Sequence, residues 1–179
     1  GLTALTSLQC YNNNLTSLDV SGLTALIELF CYNNNLTSLD VSGLTALVEL
    51  ECNNNNLTSF ILGGNSNLGF FSAFNNPALT SVIAVGSFTG GIYTGHSSGL
   101  GMNLFGSGLQ TDGVWEMLNS FGIADPNPSY IKLEGSPCDA ADGVSPNLVE
   151  SGTKTQADVQ ALITNKGFAL VLTDGVLAP

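Results

Sequence analysis

The stretches GLTALTSLQCYNNNLTSLDVS (1–21), GLTALIELFCYNNNLTSLDVS (22–42) and GLTALVELECNNNNLTSFILG (43–63) are copies of one unit, in register from Gly1 through Gly22, Gly43 and Gly64. A degenerate fourth copy, GNSNLGFFSAFNNPALTSVIAVG (64–86), carries an extra residue near Pro77. Self-similarity at a fixed period of 21 residues marks a repeat architecture. Its apolar positions fall into columns: Leu5, Leu26, Leu47 and Leu68; Leu8, Leu29, Leu50 and Phe71; Cys10, Cys31, Cys52 and Ala73; Leu15, Leu36 and Leu57. Alternate positions such as Leu8 and Cys10 point the same way from a short strand, which turns Gln9 outward between them.

A single 21-residue coil cannot bury its leucines alone, whereas coils stacked about 4.8 Å apart share a continuous core. Asn13, Asn34, Asn55 and Asn76 recur at the corner after each strand. An inward-turned Asn amide offers two donors and an acceptor there, enough to satisfy backbone groups that the turn leaves unpaired. These asparagines, with Cys10, Cys31 and Cys52, are read as structural ladders.

The pattern Leu5-x-x-Leu8-x-Cys10-x-x-Asn13-x-Leu15 resembles the leucine-rich repeat, over residues 1 to about 86. The trailing LTSLDVS is most similar to the short repeats of bacterial surface proteins and of some bacteriophage tail-associated proteins. The resemblance implies an α/β fold: a right-handed leucine-rich-repeat solenoid with a parallel sheet, one strand per coil. Four coils fill residues 1–86, a Gly-rich irregular transition spans 87–110, and larger coils with two helices cap the solenoid over 111–179.

That C-terminal region has its own signals. Thr111 can cap a helix whose Val114, Met117, Leu118 and Phe121 sit on one face and which ends at Gly122. YIKLE (130–134) reads as a strand, followed by a polar loop to about Lys154. Thr155 and Asp158 form an approximate capping box before Val159, Leu162 and Ile163, and Gly167 stops that helix. FALVLTD (168–174) then reads as a buried strand, so that strand and helix alternate in a βαβαβ-like cap. NKGFALVLTD also resembles the closing segment of bacterial leucine-rich repeat proteins, with Phe168 where Trp is more usual. No amphipathic cap precedes Gly1, which leads us to expect a preceding domain or another subunit against the first coil.

Composition narrows the function. Of 179 residues, 44% are apolar and 9% charged, which excludes a disordered tail. Acids outnumber bases 14 to 3 for a net charge of −11, and Lys132, Lys154 and Lys166 are the only bases. Residues 1–131 therefore cannot neutralise phosphates, so nucleic acid is set aside as a partner. No apolar run is long enough for a membrane helix, so membrane insertion is not expected either.

Catalytic and metal chemistry find little support, and no cofactor is expected. The wide spacing of Cys10, Cys31 and Cys52 fits no compact zinc motif, and Cys138 stands in a loop. His96, the only histidine, lies in a Gly/Ser-rich stretch with no nucleophile set beside it by a motif. GLGMNL (99–104) lacks the last glycine of a dinucleotide fingerprint. Asn14, Asn35 and Asn56 each open an Asn-Leu-Thr sequon, a by-product of repetition.

The outward strand face is the candidate site. Gln9, Phe30 and Glu51 form one column, and Tyr11, Tyr32 and Asn53 the next, with Glu28 and Glu49 alongside and Phe70 and Phe74 on the fourth coil. Glu28, Glu49 and Glu51 admit three readings: paired carboxylates, a calcium site or a solvated face. Outward aromatics on a rigid sheet suit protein or sugar recognition, and they equally shield the sheet. The expected function is a non-catalytic, adhesin-like module that binds a neutral or cationic protein or carbohydrate, extracellularly on a bacterial surface. The alternative is a structural virion component such as a phage tail fibre or baseplate appendage.

Overall fold

A computed structural model of the chain describes residues 1–65, 67–85, 100–120, 129–132, 153–166, 168–172 and 175–178. Phe121, Gly122, His96, Cys138, Gly167 and the expected loop before Lys154 lie outside these residues. The fold is a parallel-sheet solenoid. Strands β1 (Ser7–Gln9), β2 (Glu28–Phe30) and β3 (Glu49–Glu51) pair in parallel with Leu8, Leu29 and Leu50 in register. Two further strands appear within the third and fourth units: β4 (Ser59–Gly63), and β5 (Phe70–Ser72), which continues the main sheet with Phe71 beside Leu50. β6 (Ser81–Val85) pairs with β4 in a separate two-stranded parallel sheet.

This second sheet adds to the one strand per coil of the main sheet. Its cause is local: where the first two coils read LTSLDVS, the third and fourth read LTSFILG and LTSVIAV. Asp19 and Asp40 accept a backbone hydrogen bond from Ser21 and Ser42 at 2.9 Å, holding a turn. Ile61 replaces the aspartate in the third coil, and the chain stays extended, with Phe60 and Leu62 buried on one side.

The main sheet continues with β7 (Leu100–Asn103), which lies inside the stretch expected to be irregular. Met102 takes the register position after Phe71, and both it and Leu104 are buried, so this coil keeps the apolar column despite its glycines. Then follow α1 (Thr111–Ser120), β8 (Ser129–Lys132), α2 (Gln156–Lys166) and β9 (Phe168–Leu172), the alternation expected of the cap. β10 (Gly175–Leu177) pairs antiparallel with β9 at the edge of a sheet that has eight strands among the described residues, an element the sequence reading did not include.

α1 buries Val114, Met117 and Leu118 and packs against β6 and α2. The fit is close: a Cβ on Gly113 would lie 2.7 Å from the Thr80 carbonyl oxygen. Two polar clasps fix the helices. Asp112 accepts from the Thr153 and Lys154 amides at 3.0 and 2.7 Å, which holds its carboxyl below the usual range. Thr155 and Asp158 form a reciprocal capping box, with Thr155 N donating to Asp158 Oδ2 at 2.9 Å and Asp158 N to Thr155 Oγ1 at 3.3 Å.

Candidate binding face

The asparagine corner is what lets the outward face stay flat and continuous. Asn34 donates from Nδ2 to the carbonyls of Cys10 (3.1 Å) and Cys31 (3.0 Å), and its Oδ1 accepts from Leu15 N at 3.0 Å. Asn55 repeats this with Cys31, Cys52 and Leu36 N, and Asn76 with Cys52, Ala73 and Leu57 N. Each of these amides therefore ties its own coil to the one before it. Asn13, on the first coil, is exposed and among the described residues holds the carbonyls of Cys10 and Tyr11.

A second ladder was missed in the sequence. Asn12, Asn33, Asn54 and Asn75 all have positive φ, between 53° and 56°. Their amides form a chain: Asn33 Nδ2 to Asn12 Oδ1 at 2.6 Å, Asn54 to Asn33 at 2.7 Å, and Asn75 to Asn54 at 2.9 Å. Left-handed backbone is costly for most side chains and cheap for Asn, which is the signal that could have revealed it. The left-handed turn follows directly on the Tyr11 and Tyr32 column and ends the strand face at one edge.

Below that face the thiols of Cys10, Cys31 and Cys52 are free and lie in one column. Burial pushes all three upward in pKa, Cys31 to about 12 and Cys52 well above its ordinary value. They are neutral small core groups at physiological pH.

On the outward side, the Tyr11 and Tyr32 rings stack with centroids 4.6 Å apart and planes within 4°. Partial desolvation, then the charges of Tyr11 and Glu51, push the Tyr32 phenol up, which places Glu51 within electrostatic reach of that ring. Phe30 is the register partner of Glu51, and Glu28 that of Glu49. An open groove of about 350 Å³ is lined by Gln9, Tyr11, Phe30, Tyr32, Glu49 and Glu51.

Direction and access part company on the remaining residues. Phe70, Glu49 and Asn53 occupy outward columns, yet they are 4%, 8% and 5% exposed. Phe70 is thus not an open contact residue: strand alternation fixes where a side chain points and not what lies over it. Phe74 is half-buried, as are Glu28, Phe30, Tyr32 and Glu51, while Gln9 and Tyr11 are exposed. Asn53 Oδ1 has no hydrogen-bond partner among the described residues. Asn14, Asn35 and Asn56 are exposed beyond the corner.

No protein-family profile matches the chain, and no curated protein matches it. Among solved structures it is similar to a functional domain of InlJ from Listeria monocytogenes, described as including a cysteine ladder. The identity is 22% with a TM-score of 0.33, over 89% of this chain and 43% of that one. The chain thus spans less than half the length of that domain.

Proposed function

We propose that this protein is a non-catalytic recognition module, adhesin-like and displayed extracellularly on a bacterial surface, whose strand face binds a protein or a glycan. The observation that carries the reading is the groove between the stacked Tyr11 and Tyr32 rings and the carboxylates of Glu49 and Glu51. Preformed aromatic area on a rigid sheet costs little entropy on binding. The repeats fit the same reading, since they resemble those of bacterial surface leucine-rich-repeat proteins. The test is alanine at Phe30, Tyr32 and Phe74 against a partner identified on glycan and protein arrays. Binding is expected to be lost while the far-UV circular dichroism is unchanged; undiminished binding removes the face as the site.

A second reading is a structural component of a phage tail fibre or baseplate, since the repeats also resemble those of some bacteriophage tail-associated proteins. Light scattering that shows a monomer at all concentrations speaks against assembly.

A further inference from the structure

Each of the first three coils turns its corner on three consecutive asparagines, and the fold uses two of the three columns. Asn12, Asn33 and Asn54 form the amide chain at the edge of the strand face, while Asn34 and Asn55 tie backbone between coils. Asn14, Asn35 and Asn56, the third column, are exposed, and their side chains enter no hydrogen bond among the described residues. Each opens an Asn-Leu-Thr triplet whose threonine, Thr16, Thr37 or Thr58, is exposed as well. Repetition accounts for three matching triplets; the stack decides that their amides are left unused and held outward.

The leucine in the middle of each triplet does the holding. Leu36 and Leu57 are buried and Leu15 is half-buried. The Leu15 and Leu36 amides donate to Asn34 and Asn55 Oδ1 at 3.0 and 2.9 Å, and their carbonyls accept from the Asn35 and Asn56 amides at 2.8 and 2.9 Å. Turning the middle residue inward points its two neighbours to solvent together. An N-glycan acceptor needs that presentation: an accessible carboxamide, a hydroxyl two residues on, and no proline between them. In the fourth coil Pro77 and Ala78 separate Asn76 from Leu79 and Thr80, so the column stops at three.

We propose that Asn14, Asn35 and Asn56 are acceptor sites for N-linked glycans on the folded chain. The donor class is a sugar activated as a diphosphate ester. The Asn amide nitrogen bonds to the anomeric carbon, the bond from that carbon to the diphosphate oxygen breaks, the diphosphate leaves with the electron pair, and the amide proton passes to a base of the transferase. The proposal stands independently of what the strand face binds.

Intact-mass measurement of the native full chain tests it in two arms, one with a soluble N-glycosyltransferase and uridine diphosphate glucose, the other with a membrane oligosaccharyltransferase and a lipid-diphosphate oligosaccharide. A peptide of residues 11–18 is the positive control for each enzyme. The folded chain is expected to gain sugar in at least one arm, which also identifies the donor, and Thr16→Ala/Thr37→Ala/Thr58→Ala to gain none. Asn56→Thr supplies the contrast, because it moves the third triplet onto Asn54, whose amide donates to Asn33 and accepts from Asn75. Freeing that amide breaks two hydrogen bonds, so Asn54 is expected to be modified about tenfold or more slowly than Asn14 in the folded chain. In urea the two are expected to react alike. A folded chain that gains no sugar in either arm while the peptide does overturns the proposal, as does modification confined to the unfolded chain. Equal rates at Asn54 and Asn14 in the folded variant also overturn it, since the triplet alone would then decide and the unused column would not.

Discussion

At the scale of single residues, position in the stack decides what an identical side chain is worth. Asn55 is 4% exposed and satisfies Leu36 N, so Asn55→Ala strands a buried amide and is expected to cost about 2 kcal/mol or more. Asn13→Ala, in the same column but solvent-exposed, is expected to cost about 1 kcal/mol or less. Urea unfolding of the two variants measures the contrast, and equal losses contradict the ladder's inter-coil role. The thiols give a pH signature. Because Cys31 keeps its proton to about pH 12 in the fold, its contribution is full below pH 9 and is lost as pH rises towards 12. The slope is about 1.4 kcal/mol per pH unit for each such thiol. Cys31→Ala is therefore expected to lose less stability than the parent between pH 9 and 11. The inward columns were legible because the same residues recur at one period; the burial of Phe70 and Glu49 was not, since it depends on what lies over the face and not on alternation.

At the scale of elements, close approach overrides propensity. Helix propensity alone makes Gly113→Ala favourable by about 1 kcal/mol. A methyl there meets the Thr80 carbonyl, so α1 must shift from the fourth coil, and the melting temperature is expected to fall. A rise in melting temperature contradicts the packing. Both helices of the cap were legible from capping residues and apolar spacing, as at Thr155, Asp158 and Val159. The sheet of β4 and β6 was not, although Ile61 standing where Asp19 and Asp40 hold turns is the residue that signals it. β7 was masked by glycine content, which weakens strand propensity without removing the buried Met102 and Leu104.

At the scale of the whole molecule, repetition made the solenoid legible, while its closing strand escaped. β10 pairs antiparallel with β9, and Thr-Asp-Gly between two apolar runs was its only cue. The acidity noted in the sequence also gains a location. Asp19 and Asp40 stand at the turns of the first two coils and Glu28, Glu49 and Glu51 on the strand face, so both surfaces of the repeats are anionic.

The chain of Asn12, Asn33, Asn54 and Asn75 runs on to Gly106, which keeps a positive φ of 62° but whose Cβ would lie 2.9 Å from Asn75 Oδ1. The ladder thus has interchangeable rungs and a stop. Excising residues 22–42 would leave Asn12 facing Asn54 across a joint of the same kind, so the shortened chain is expected to fold, at a lower melting temperature and with an unchanged cap. An unfolded product contradicts this. The length of the protein is then a quantity that unequal recombination can alter in whole coils, about 4.8 Å at a time, without redesigning a single joint.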